Sequence, residues 1–163
     1  VTANPLPDGL VATVIYRSRI PTQQTVLIDQ GERHGLTLGS VVVDADGVAG
    51  RILELFPSTA LVLLITDAES RMAGLIERSR ETGLLVGRSH GPCELIYLDV
   101  EADVEAGDRV VTAGLGGSVP KGLLLGVVTR VVKDELRGTA WASVRPSAHL
   151  GRLEEVLCLS GSQ

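Results

Sequence analysis

Residues 29–71, DQGERHGLTLGSVVVDADGVAGRILELFPSTALVLLITDAESR, decide the fold. Glycines stand where tight turns are needed, and apolar runs lie between them. Gly31, Gly35 and Gly39 punctuate a connection, and Val41 to Val43 begin an apolar run. Asp46-Gly47 is a two-residue hairpin signal of the kind that favours φ > 0. Gly50 to Phe56 leads back out, and Leu61 to Ile65 forms a further apolar run. The segment reads as a meander of short strands with no nucleophile, metal cluster or phosphate loop set into it. It argues for a β-rich structural or binding module before any enzyme.

Outward from this stretch the same grammar repeats. Residues 1–9 are rich in Pro and turn formers and read as a tail or linker. Strands are expected at 10–16, 25–30, 40–44, 48–55 and 60–65, then a polar turn from Thr66 to Arg71. A second series follows at 73–77, 83–87, 94–98, 109–113, 124–133 and 139–145, a short helical turn at Pro146 to Leu153, and a last apolar run at 155–159. In each series a polar glycine turn enters a valine-rich strand. A second glycine, Gly50 or Gly126, then opens another strand. The fold class is therefore all-β, two small barrels in tandem. A barrel is stable only when its edges close. The balanced count gives residues 10–71 with 146–160 to the first barrel and 72–145 to the second, which is inserted in the first.

Composition supports this reading. The chain of 163 residues is 44% apolar but only 2% aromatic, so its core is built from Val, Leu, Ile and Ala. β-Branched residues suit a pleated, half-buried surface. The 19 glycines suit a fold of many turns. Net charge is −5 and no run of Lys or Arg exceeds two residues, which disfavours both a duplex-binding stripe and an anionic membrane surface. No signal peptide is read among these residues, and the longest uninterrupted apolar stretch is Ala60 to Ile65. The chain begins at Val1 and reads as a fragment of a longer protein.

Candidate chemistry is sparse. A trypsin-type hydrolase needs a base, an orienting acid and a nucleophile; His34, Asp46 or Asp67, and Ser118 occur in that order. Ser118, however, follows Gly-Gly and lacks the glycine after it that such enzymes carry. The glycine-dense loop Ala113 to Gly122 lacks the Gly-Lys-Ser/Thr ending of a phosphate loop and reads as an inter-strand loop. Asp99, Glu101, Asp103 and Glu105, with Asp108 beyond, share one face if extended, an arrangement that suits a hard cation such as Ca²⁺ or a solvated acidic loop. His34, His90 and His149 read as loop histidines. Cys93 and Cys158 lack metal-ligand spacing; a single disulfide and two buried thiols are both open to them.

Three stretches resemble the extracytoplasmic β-rich region of the bacterial cell shape-determining MreC family. The first is Ile28-Asp29-Gln30-Gly31 with Gly35 to Gly39 and Asp46-Gly47 to Gly50-Arg51-Ile52. The second is Leu63 to Asp67 with Ser70-Arg71. The third is Gly107-Asp108 to Gly114, Gly116 and Gly117, followed by Pro120, Gly122 and Gly126. Ser40 departs from the methionine often found there, and Ala49 is smaller than the usual valine. The resemblance implies a pair of small β-barrels and a non-enzymatic scaffold with no cofactor or metal. It implies residence outside the cytoplasmic membrane, attached through a membrane helix and coiled coil that are not among these residues. The implied role is organising side-wall peptidoglycan elongation. The implied partners are a class B penicillin-binding transpeptidase, MreD and other copies of the protein. The alternatives are a two-barrel serine hydrolase and a periplasmic adaptor domain of another envelope complex. For partner binding the residues single out only Ser/Thr-rich edges such as Thr22 to Thr25.

Overall fold

Short apolar strands cannot bury themselves singly, and here they close into two rings. The computed structural model describes residues 9–114 and 119–159. Its strands are β1 (Leu10–Arg17), β2 (Thr25–Ile28), β3 (Val41–Val43), β4 (Val48–Leu55), β5 (Ala60–Leu64), β6 (Arg71–Ile76), β7 (Thr82–Val86), β8 (Cys93–Asp99), β9 (Arg109–Thr112), β10 (Leu124–Asp134), β11 (Thr139–Pro146) and β12 (Glu155–Leu159). One closed barrel runs β1-β12-β3-β4-β5-β2, and the other runs β10-β11-β8-β7-β6-β9. Every pairing is antiparallel. The chain leaves the first barrel after β5, completes the second, and returns to add β12, so the second barrel is inserted in the first.

The valine run explains how the barrels join. Successive strand residues point to opposite faces. Val42 faces the core of its own barrel with Ile28, Val62 and Cys158. Val41 and Val43 face the other way and join the cluster that holds Ile76, Leu95, Leu125 and Val144 of the second barrel. All of β3 is therefore buried. An unbroken apolar run is what a strand covered on both faces requires. At the end of β12, Cys158 belongs to the first core and Leu159 to the shared one.

Several expectations need correcting. Gly47 does not adopt a positive φ. The β3–β4 turn is shaped by Asp44, whose Oδ1 accepts the backbone N–H groups of Asp46 at 2.7 Å and Gly47 at 2.9 Å. A side chain that supplies the turn's hydrogen bonds removes the need for a left-handed residue. Gly50 and Gly126 do not open their strands; each is the third residue, in β4 and β10. Pro146 still belongs to β11, and only Leu150–Arg152 form a 3-10 turn. The crossing after β5 is a turn built of polar residues, as expected, and two of them, Asp67 and Ser70, are buried. The segment near Thr22 to Thr25 offers no free edge, because β2 pairs with β1 on one side and β5 on the other. Of the proposed tail, residues 1–8 lie outside the described part.

Candidate partner-binding surface

The residues that catalysis would use are engaged elsewhere. His34 ends the 3-10 turn Glu32–His34, and its Nδ1 accepts the Gly31 backbone N–H at 2.9 Å. A triad histidine must donate from Nδ1 to its orienting acid, so this bond has the wrong sense. Asp46 Oδ2 lies 2.9 Å from His149 Nδ1. The Asp67 carboxylate accepts the backbone N–H groups of Gln24 at 2.8 Å and Glu69 at 2.7 Å, tying down the crossing between barrels. Ser118 lies outside the described residues. Neither candidate acid is bonded to His34.

The acidic stretch is not one extended face. Asp99 ends β8 and its Oδ1 accepts the Glu101 N–H at 2.8 Å, turning the chain. Arg78, in the β6–β7 turn, then gathers the others. Its Nε meets Asp108 Oδ1 at 2.8 Å, its Nη2 meets Asp103 Oδ1 at 2.9 Å, and Glu105 stands 3.8 Å away. A guanidinium takes the place imagined for a hard cation. The Arg78 hydrogen bond, opposed in part by burial, holds the Asp108 carboxyl below its ordinary range.

The turn residues of the family-like stretches are spread over both barrels and do not converge. Gly35, Gly39, Gly107, Gly114 and Gly122 all have φ between 74° and 95°. Asp29 Oδ1 accepts the Thr13 N–H at 2.8 Å, and the Pro120 carbonyl accepts the Thr112 hydroxyl at 2.6 Å. Gly116 and Gly117 lie outside the described residues. Cys93 and Cys158 are free, buried in separate barrels, and burial pushes each thiol up to about 12.

What converges is aromatic, and the sequence reading passed over it. None of Tyr16, Phe56, Tyr97 and Trp141 is buried. On the second barrel, β11 pairs Ala140 with Leu98 and Ala142 with Leu95, so Trp141 faces two residues, Ile96 and Tyr97. This bulge re-aims the strand. Tyr97 takes φ 68° there and stands 76% exposed. A non-glycine residue at positive φ carries strain that its surroundings must hold. Leu95 and Leu98 point into the core, while Ile96 lies half-buried on the outer face beside Leu84. On the other side Trp141 pairs with Val132, and the Arg130 guanidinium stacks 5.4 Å from the indole centroid. Leu136, at the tip of the β10–β11 hairpin, is 99% exposed. Trp, Tyr and Arg are the residues that dominate protein interfaces. The one available signal was compositional: a chain that builds its core from aliphatics leaves its few aromatics for the surface.

The fold defines a class, a module of two closed antiparallel β-barrels, one inserted in the other. The family described as "Rod shape-determining protein MreC, barrel core" matches residues 14–160, and the chain belongs to it. The chain is 36% identical over 154 residues to the cell shape-determining protein MreC of Cereibacter sphaeroides, covering 94% of this chain and 49% of that protein. It is 32% identical over 154 residues to MreC of Escherichia coli K12, covering 94% and 42%. The chain thus spans about half the length of the curated relatives it matches or less. The crystal structure of MreC from Pseudomonas aeruginosa superposes with a TM-score of 0.88 at 33% identity, covering 93% of this chain and 99% of that one. MreC of Helicobacter pylori, solved in complex with penicillin-binding protein PBP2, shares the fold at a TM-score of 0.73 and 15% identity, covering 93% and 97%. The family is one of cell-shape determinants rather than enzymes. No helix among the described residues is long and apolar enough to cross a membrane.

Proposed function

We propose that this chain is the extracytoplasmic part of a membrane-anchored scaffold that maintains rod shape by organising side-wall peptidoglycan synthesis. It holds a class B penicillin-binding transpeptidase through the Tyr97–Trp141 face of the second barrel, and contacts MreD and further copies of itself through other surfaces. In this reading residues 10–71 with 146–160 form one binding unit and 72–145 the other. The glycines and aspartates of the family-like stretches shape turns and close contacts and touch no partner.

The observation that carries the reading is the exposed aromatic face, built on a strained bulge and stacked with Arg130, in a chain whose core contains no aromatic residue. The complex formed by the H. pylori relative supports the choice of partner class. The test is binding of the chain to the soluble part of the cognate transpeptidase by calorimetry. Trp141→Ala and Tyr97→Ala should each weaken binding about thirtyfold, equivalent to ~2 kcal/mol at an interface hot spot. Both variants should keep the wild-type circular dichroism. Full affinity in both folded variants removes this face from the interface.

A further inference from the structure

Two of the family-like stretches, Gly50-Arg51-Ile52 and Ser70-Arg71, meet at one cleft of about 270 Å³. It lies where the outer face of β4 and β5 approaches the start of β6. Arg51 pairs in register with Leu63, and both face away from the first core. Leu53 is the extra residue of the β4 bulge and is 49% exposed. Leu53 and Leu63 give the cleft an apolar side.

Its two guanidiniums are held by carbonyls only. Arg51 Nε donates to the Gly39 carbonyl at 3.3 Å. Arg71 Nη1 donates to the carbonyls of Ala68 at 2.7 Å and Ser70 at 3.0 Å. Among the described residues, Arg78, Arg88, Arg109 and Arg137 each meet a carboxylate within 4 Å; Arg51 and Arg71 are two of the arginines that do not, and these two line one cleft. Each keeps N–H donors free while one side is anchored. A planar fork with free donors suits a carboxylate. In a chain of net charge −5, two guanidiniums with no carboxylate within 4 Å, beside a leucine surface, mark a place for an incoming negative charge. Glu69 lines the same cleft and disfavours a second acidic group.

We propose that this cleft binds an acidic peptide segment of a partner protein. One Glu or Asp carboxylate is held between Arg51 and Arg71, and a neighbouring aliphatic side chain lies on Leu53 and Leu63. The site is separate from the aromatic face of the second barrel, and its test does not require the transpeptidase.

The experiment titrates the ¹⁵N-labelled 163-residue chain with three probes at millimolar concentration: the capped peptide Ala-Leu-Glu-Leu-Ala, its Gln counterpart, and inorganic phosphate. The Glu peptide should move the amide signals of Gly39, Arg51, Leu53 and Arg71, and the Gln peptide should bind about tenfold more weakly. Arg51→Gln should weaken the Glu peptide about tenfold. Arg71→Lys keeps the charge but loses the fork and should weaken it severalfold. Leu53→Ala, at an exposed position, leaves the fold intact and should weaken it about threefold through lost apolar contact. Equal response to both peptides, shifts confined to other residues, no shift at all, or a response to phosphate without one to the Glu peptide overturns the proposal.

Discussion

Gly47, in the β3–β4 turn of the first barrel, lies against the backbone carbonyl of Leu124 at the start of β10 in the second. A Cβ on residue 47 would stand 2.8 Å from that oxygen and 3.2 Å from the Ser147 Cβ. This glycine sets how closely the barrels approach. Val43 and Val48 beside it enter the shared core, so the spacing governs apolar burial between barrels.

Gly47→Val therefore pushes the barrels apart while leaving the turn's Asp44 hydrogen bonds in place. Overpacking of this kind costs about 1–3 kcal/mol. Calorimetry should show a lower melting temperature and, as the barrels uncouple, a broader transition. A wild-type thermogram refutes the role assigned to Gly47.

Gly50 and Gly126 serve a similar purpose within each barrel. A Cβ on Gly50 would overlap the Leu63 carbonyl oxygen, and one on Gly126 the Arg145 carbonyl oxygen. Both oxygens belong to neighbouring strands of the same barrel and cannot withdraw without breaking the ladder. Gly50→Val and Gly126→Val should each destabilise by about 1–3 kcal/mol in urea denaturation. Unchanged midpoints in both variants count against the crowding.

Arg78 makes stability depend on acid. The folded-state value of Asp108 is lowered by its Arg78 hydrogen bond. A depressed carboxylate contributes stability above its unfolded value, about 3.9, and loses it as pH falls through the folded value. Arg78→Gln should melt below wild type near neutral pH. The gap should narrow as pH drops below about 4. A gap that stays constant through that range means the ion pairs of Arg78 contribute nothing to the pH profile.

The two cysteines should behave as buried apolar groups. With each thiol pushed up to about 12 by burial, neither presents a thiolate in the folded state near neutral pH. A thiol-reactive dye should label neither cysteine in buffer and both in denaturant, with no disulfide on non-reducing gels. Rapid labelling of the folded chain contradicts their placement.

The order and number of strands were readable because each strand carries its own punctuation. Gly39 and Asp46-Gly47 bracket the valine run of β3, and the polar turn from Thr66 to Arg71 follows the apolar run of β5. The second barrel's position as an insertion was readable too, from the strand count, which returned the run at 155–159 to the first barrel; β12 closes that ring between β1 and β3. The turn at Asp46-Gly47 was misread because two explanations fit a turn glycine, a positive φ and a close neighbour. The neighbour, Leu124, lies in the other barrel.

The exposed aromatic face was not readable for a related reason. Tyr97 and Trp141 face one another only because β8 and β11 pair and because a bulge places two residues opposite one. Arg51 and Arg71 share a cleft only because the chain crosses between barrels at Asp67. The sequence by itself determined an all-β chain with an aliphatic core, two strand series, glycine turns and membership of a recognisable family, because periodicity, turn chemistry and composition are local and survive without coordinates. The tertiary structure alone decided which acids find Arg78, which aromatics share a face and which arginines stay unpaired. Those outcomes rest on strand pairing and barrel closure, which bring together residues that no local pattern links.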